Sequence, residues 1–373
     1  MADKKLKVAF IGTGIMGAPI AGHIMDAGYD VTVYNRTRAK ADALVARGAR
    51  WADTPAEAAA DADAVFTMVG FPTDVEELYL SGEGLLTCAK EGAYLIDLTT
   101  SSPELARDIA EAAETMGKHA FDCPVTGGEA GAQAGTLTLI VGATEADIAP
   151  VRELLEAFSS KIFCFGGPGK GQAAKLANQV SLAASMVGMA DALSFAQQCD
   201  LDLALTREMI LGGTGASGAM QQLAPKSLDG DWKPGFMVKH FLKDLGLALQ
   251  AAEEKEIALP GADTAFTLYD MLEAIGGGDL GTQAITLLYQ EESEAVAAGL
   301  DWSLYTSAHE HDEECGCGHD HGHDHECGCG HDHGHDHECG CGHEHGHDHE
   351  CCGGHGHRHD GSCGCAHDHG ESE

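Results

Sequence analysis

Apolar and polar positions follow two rhythms along the first three hundred residues, and the rhythm changes once. From Lys7 to Phe165 short β-rich runs recur as "KVAFI", "YDVTVY", "AVFTMV", "AYLID", "HAFD", "LTLIV" and "KIFCF", with helical patterns between them. In "SPELARDIAEAAETMG", Ser102 and Pro103 stand where a capping hydroxyl and a first-turn proline start a helix. Ile148, Val151, Leu154, Leu155 and Phe158 fall on one face of another. Strand, helix, strand in repetition predicts a mostly parallel sheet covered on both faces.

After "GGPGKG" no strand pattern returns. Residues 171 to 198 read as one long helix. Leu176, Val180, Val187 and Ser194 trace one side, while Leu182, Met186, Met189 and Leu193 trace another. A helix apolar on two faces is expected to be buried from two sides. Helical patterns continue in "HFLKDLGLALQAAEEKE", "GADTAFTLYDMLEAI" and "QAITLLYQEESEAVAAG", ending near Asp301. The pattern therefore divides the chain into an α/β doubly wound domain over 1 to 167, an all-α C-terminal domain over 168 to 302, and a tail over 303 to 373.

Apolar side chains nearly vanish in that tail. "CGCGHDHGHDHE" occupies 315 to 326 and again 327 to 338, then recurs at 339 to 350 with Glu344 in place of Asp. Beyond residue 302 lie 19 of the 22 His and 10 of the 14 Cys, so the tail has ligands but no core. Such a composition cannot offset the entropy of ordering and predicts disorder without metal. His319, His321, His323, His325, Cys327, Cys329, His331, His333, His335, His337, Cys339 and Cys341 offer imidazoles and thiolates suited to a divalent transition metal such as Zn, Ni, Co or Cu. The CxxC spacing of a fixed structural zinc site is absent, and the histidines recur at every second position within each repeat, which points to several weakly distinguished sites. An acidic solubilising tail would explain the charge but not the histidines and cysteines.

Charge narrows the partners. The formal net charge is −37, and the tail alone carries 17 acidic residues against Arg358. Acidic body and tail together argue against nucleic acid and anionic membrane surfaces, whose recognition rests on Lys and Arg. Three lysines before "VAFIGTGIMGAPIAG" superficially imitate a secretory leader, but that run has a better reading below. No later run was expected to approach the roughly 20 apolar residues of a membrane span. Cys88, Cys123, Cys164 and Cys199 lie far apart without paired spacing, which suits reduced thiols and a cytoplasmic protein.

In "FIGTGIMGAPIAGHIMDAG", Gly12, Gly14 and Gly17 have GxGxxG spacing, with Thr13, Ile15 and Met16 in the same turn. A strand pattern precedes it, a helical one follows, and a second strand arrives about twenty residues on; this context marks a Rossmann-type dinucleotide site. Free N–H groups at the helix start then hold the phosphates. At the end of the second strand stand Asn35, Arg36 and Thr37, where an NAD-selective protein places a carboxylate. Arg36 can pair with a 2'-phosphate, and the Asn35 and Thr37 side chains can donate hydrogen bonds to it. NADP(H) is therefore preferred, with NAD(H) possible. Between Lys170 and Asp191 the only charged residue is Lys175, in a helix expected to be buried, with Asn178 and Gln179 nearly one turn on. Burying an ammonium is costly unless it faces a polar cleft. "DLTTSS", which carries Thr99 and Thr100, and "DCPVTGG", which carries Thr126, Gly127 and Gly128, each end a strand where loops would face a bound nicotinamide.

Residues 7 to about 300 resemble the β-hydroxyacid dehydrogenase family, on the ordered motifs "FIGTGIMGAPIA", "DCPVTGGEAGAQAGTLTLIVG", "GKGQAAKLANQ" and "KPGFMVKHFLKDLGLAL". The resemblance implies that Lys175 is the general acid/base, that Thr126, Gly127 and Gly128 receive a substrate carboxylate, and that Asn178 helps place the substrate. It implies that Thr99 and Thr100 lie by the nicotinamide, and that Phe236, Lys243 and Asp244 close the site from the helical domain, which serves substrate binding and dimerisation. Lys243 is then shared between cofactor and substrate. A homodimer or homotetramer is implied too. "LANQ" and "KPGF" look most like the tartronate semialdehyde (2-hydroxy-3-oxopropionate) reductases, whereas "NRT" looks like the NADPH-using glyoxylate reductases. Thr126 stands where Ser is commoner. The expected function is interconversion of a small carboxylate semialdehyde and its hydroxy acid, with 3-hydroxyisobutyrate dehydrogenase and glyoxylate/succinic semialdehyde reductase as alternatives. From another class, the chain could be a metal-buffering protein on an inactive scaffold. An inactive body has no physical need for a buried cation beside a nicotinamide site, which favours the enzyme.

Overall fold

The central sheet holds six parallel strands, β1 (Lys7–Ile11), β2 (Asp30–Tyr34), β3 (Arg50–Trp51), β4 (Ala64–Thr67), β5 (Tyr94–Asp97) and β6 (His119–Asp122), in the order β3-β2-β1-β4-β5-β6. These come from a computed structural model that describes residues 5 to 304. The disorder expected of the tail and its metal ligands from His319 to Cys341 lie outside the described residues.

Both faces of β1 and β4 are buried, as the apolar runs predict. On one face Phe10 stacks on Phe66 at 6.0 Å, and Phe66 meets Phe158 edge-on at 5.9 Å. Ile20 and Ile24 of the helix Gly17–Asp26 join that cluster. On the other face Ala9, Ile11 and Val65 pack with Val75, Tyr79 and Leu85. Each such buried large side chain is worth roughly 1.5–3 kcal/mol, so the two clusters hold the strand order rigidly. The order reverses between β1 and β4, and there the loops leaving the strand carboxyl ends diverge and open a crevice.

Two expected strands do not join this sheet. β8 (Leu137–Val141) and β9 (Ser159–Cys164) pair in parallel with each other, and β8 pairs antiparallel with β7 (Val125–Thr126). The chain turns away after β6 at Pro124, which has no N–H to extend a ladder. β3 and β7 have two residues each, too few to show an alternating pattern.

Beyond Cys164, among the described residues, only one isolated bridge pairs as strand, Met237 with Gly281. The long helix Lys170–Gln198 packs against the helices Val238–Glu253 and Pro260–Ala274 and the 3-10 run Thr282–Tyr289. Burial on two sides is corrected. One face, including Gln172, Lys175, Leu176, Gln179, Ala183, Met186 and Met189, is buried, while Val180, Leu182 and Val187 are half-buried and Phe195 is 71 % exposed. Those packed neighbours cover a single stripe, so the second is left partly open. This helix is also long and apolar enough to cross a membrane by length and composition, contrary to the expectation from sequence. Its buried face is instead taken up by the neighbouring helices. "QAITLLYQEESEAVAAG" is not one helix: the backbone is extended at Gln290, between the 3-10 run and the short helix Glu292–Ala297.

Candidate active site

The glycine-rich turn closes tightly at the end of β1. Gly12 has φ 99°, and a Cβ there would lie 2.1 Å from the Met68 carbonyl oxygen, so no other residue fits. At Gly17 a Cβ would lie 1.8 Å from the Gly12 oxygen, whereas Gly14 has no atom within 4 Å of that position. The turn is thus packed on one side and open on the other. The following helix has no acidic residue in its first turn; Pro19 has no N–H, and the Ala18 and Ile20 N–H groups donate to the Gly14 and Met16 carbonyls, so the backbone N–H groups left open among the described residues are those of the turn from Gly14 to Gly17. Ile15 is exposed and Met16 half-buried beside them.

Asn35 also has a structural part in the turn. Its Oδ1 accepts the Thr13 N–H at 2.9 Å and its Nδ2 donates to the Thr37 carbonyl at 2.9 Å. The side chain thereby ties the glycine turn to the end of β2, and one of its two Nδ2 hydrogens remains without a partner among the described residues. Arg36 and Thr37 remain exposed. The Arg36 side chain is 89 % accessible, with Asp74 3.6 Å away, a separation and exposure at which pairing is weak.

The β5 loop is held from below. Asp97 accepts from the Thr67 hydroxyl at 2.8 Å and the Thr99 N–H at 3.1 Å. Burial pushes the Asp97 carboxyl up to about 6, against the pull of those hydrogen bonds. The Thr99 hydroxyl accepts the Val69 N–H at 3.0 Å and is buried, so Thr99 faces inward; Thr100 is partly open. Gly127 and Gly128 have φ of 127° and 61°, turning the chain into the short helix Gly128–Ala134. The "KPGF" segment approaches this loop, with the Gly235 oxygen 3.9 Å from the Cβ position of Gly128. Phe236 rests on Phe241 at 5.6 Å, and His240 lies 5.6 Å from Phe71. Burial, then Lys243 and Lys239, hold the His240 imidazole below its usual range.

Lys175 is 7 % exposed, and among the described residues no hydrogen bond or ion pair reaches its ammonium. Burial lowers its pKa from the ordinary 10.5; the negative charge of Asp244 opposes that shift, and Lys243 adds to it. Asp244 is 2 % exposed, accepting Gln179 Nε2 at 2.6 Å. Lys243 Nζ lies 3.0 Å from its other oxygen, a charge contact off the hydrogen-bonding direction, and donates to the Thr100 carbonyl at 2.6 Å. Asn178 is exposed and donates to Gln179 Oε1 at 2.9 Å. Asn178, Gln179, Asp244, Lys243 and Thr100 are thus linked in one network, which acts on Lys175 through the charges of Asp244 and Lys243. Asp244 supports it from beneath, enclosed by its partners.

Sequence reading missed Asp97, Asp122, Gln172 and His240, and gave Gln179 no role beyond polarity. Asp97 is a polar residue inside the apolar run "YLIDL", and that was the available signal; "GKGQAAK" around Gln172 has no such run. Among the described residues no cluster of metal-ligating side chains occurs.

Residues 7–166 match the family model described as the NAD binding domain of 6-phosphogluconate dehydrogenase. Residues 169–289 match that of the NAD-binding of NADP-dependent 3-hydroxyisobutyrate dehydrogenase. The uncharacterized oxidoreductase YkwC of Bacillus subtilis is 43 % identical over 76 % of this chain and 99 % of its own. A probable mitochondrial 3-hydroxyisobutyrate dehydrogenase-like 1 of Arabidopsis thaliana is 42 % identical over 79 % and 88 %. A solved 3-hydroxyisobutyrate dehydrogenase of Mycobacterium tuberculosis, with L-serine, superposes with a TM-score of 0.72 at 31 % identity, covering 77 % of this chain and all of that one.

Proposed function

Because the chain belongs to the β-hydroxyacid dehydrogenase family, we propose that it is an NADP(H)-preferring oxidoreductase interconverting a small carboxylate semialdehyde and its hydroxy acid. The observation that carries this reading is the Lys175 ammonium, buried yet without an acceptor of its own among the described residues. A protein gains nothing in stability by holding a charge that way, so the missing partner is read as the substrate oxygen.

The residues fit a nicotinamide dinucleotide. Gly12 and Gly17 make a turn that side chains would fill, Gly14 leaves the approach clear, and the turn from Gly14 to Gly17 offers backbone N–H groups to phosphate. When bound, the nicotinamide supplies or accepts hydride. In the reductive direction Lys175 gives its proton to the carbonyl oxygen as negative charge builds there. In the oxidative direction the neutral amine takes the hydroxyl proton, and the lowering of its pKa by burial makes that form more accessible. The negative charge of Asp244 favours the protonated amine. Backbone N–H groups of Gly127 and Gly128, with the Thr126 hydroxyl, hold the substrate carboxylate and present one face of the aldehyde; Asn178 and Phe236 border the same space.

Arg36, exposed and with no carboxylate at the end of β2, supports NADP(H) over NAD(H). "LANQ" and "KPGF" favour a 2-hydroxy-3-oxopropionate reductase-like substrate. The exposed Phe195 and the half-buried second stripe of the long helix support assembly as a homodimer or homotetramer. The four body cysteines are free, which suits the cytoplasm. The repeated His and Cys of the tail support binding of Zn, Ni, Co or Cu there, apart from catalysis.

The test is NADPH consumption with tartronate semialdehyde, methylmalonate semialdehyde, glyoxylate and succinic semialdehyde, each repeated with NADH. Turnover with at least one of them, and a lower KM for NADPH, are expected. Absence of turnover across the set in both directions would reject the activity.

A further inference from the structure

We propose that Gln172 is a positioning residue that locks the nicotinamide-side loop to the helix carrying Lys175, with Asp122 fixing the start of that helix. The proposal rests on the function assigned above to Lys175 and to the Thr99–Ser101 loop.

The Gln172 side chain is fully buried, and both ends of its amide are engaged. Nε2 donates to the Thr99 carbonyl at 2.7 Å, and Oε1 accepts the Ser101 N–H at 2.9 Å. The residue between those two, Thr100, has its carbonyl taken by Lys243 Nζ at 2.6 Å. Three consecutive loop residues are thereby gripped from two helices. One grip comes from the long helix Lys170–Gln198 and the other from the helix Val238–Glu253. Such a loop cannot move without moving against both.

The grip is useful only if the helix itself is fixed, and Asp122 fixes it. At the end of β6, Asp122 Oδ1 accepts the Gly169 N–H at 2.8 Å and Oδ2 accepts the Gln172 N–H at 2.7 Å, satisfying N–H groups that a helix start leaves free. The approach is close: a Cβ on Gly171 would lie 2.8 Å from Oδ2 and 2.5 Å from the Ile140 oxygen. Three residues on from Gln172, along the same buried face and a rise of roughly 4.5 Å, stands Lys175. The amide of Gln172 therefore sets the separation between the proton donor and the loop against which the nicotinamide lies. Small errors in such a separation cost rate steeply, because hydride and proton must be delivered to the same carbonyl.

The test compares wild type with Gln172→Met, which keeps the length and removes both hydrogen bonds, and Gln172→Glu, which keeps an acceptor for Ser101 and loses the donor to Thr99. Amide hydrogen exchange is followed at Ser101 in the cofactor-free protein. The NADPH dissociation constant, kcat, and the primary isotope effect with 4-deuterated NADPH are measured alongside. In Gln172→Met, protection at Ser101 should fall at least tenfold, kcat should drop roughly ten- to hundredfold, and the isotope effect should rise as hydride transfer becomes limiting, with NADPH binding within about twofold of wild type. Gln172→Glu should restore Ser101 protection while kcat stays low. Unchanged protection, or an unchanged isotope effect with only a lower Tm, overturns the proposal; if Gln172→Met does not fold, the same isotope effect in Gln172→Glu decides it. Wild type that turns over no substrate would instead reject the assigned activity, and the exchange result would still decide whether the clamp exists.

Discussion

Replacing Lys175 by Met should cost the enzyme its turnover while leaving the fold as stable or more so. Methionine has nearly the same length and fills the same buried space without charge. Loss of a positioned general acid reduces kcat by roughly 10²–10⁴-fold, or about 2.7–5.5 kcal/mol of barrier. The stability side follows from Lys175 being 7 % exposed with no acceptor of its own among the described residues. Its removal leaves Asp244 still held by Gln179 and Lys243, so no new unpaired charge is created. The scale for replacing buried charges with apolar groups runs from neutral to about 4 kcal/mol stabilising. The pH dependence gives a sharper signature. Burial lowers the folded-state pKa of Lys175, so the unfolded chain binds more protons and wild-type stability rises with pH from that lowered value towards 10.5. The variant lacks this rise. Its advantage should be greatest near neutrality and close as the pH approaches about 10.5. Thermal melts from pH 7 to 10, with kcat by NADPH absorbance, provide the assay. A variant that melts several degrees lower at pH 7 while keeping near-normal turnover would refute the reasoning and make Lys175 structural.

Arg36→Ala should raise KM for NADPH by about tenfold and leave that for NADH within about twofold, since one exposed charge-assisted contact is lost; parallel changes for both cofactors would remove the argument for NADP(H). Asp97 carries a folded-state pKa of about 6 against an ordinary 3.8, so its contribution to stability is fully present below that ordinary value and is lost as the pH rises through about 6. Asp97→Asn should flatten that decline in melts between pH 4 and 7, and an unaltered slope would show that another group is responsible. A chain truncated after Ser303 should retain kcat and lose its binding of Zn or Ni, as followed by calorimetry; a collapse of turnover would make the tail part of the enzyme.

Much of the sheet could be read from the sequence because β1 and β4 are buried on both faces and their apolar runs are unbroken. The glycine turn and Lys175 were legible because each breaks a local rule, one by spacing and one by a charge in an apolar helix. β3 and β7 were not, being two residues long, and neither was the departure of β8 and β9 from the main sheet, which depends on where the chain turns at Pro124. The role of Asn35 shows the same limit. Its amide suits a phosphate or a backbone equally well, and only the fold brings Thr13 to it. Gln172 was hidden for a related reason: its partners Thr99 and Ser101 are 73 and 71 residues away along the chain.

The central claim is that the Lys175 ammonium delivers the proton at the site of hydride transfer. A crystal structure with NADP and a bound hydroxy acid tests it most directly. The account predicts Lys175 Nζ within roughly 2.6–3.2 Å of the substrate hydroxyl oxygen, on the nicotinamide side of the cleft. A bound substrate whose hydroxyl meets another titratable group, with Nζ turned away beyond the reach of one water, would contradict it.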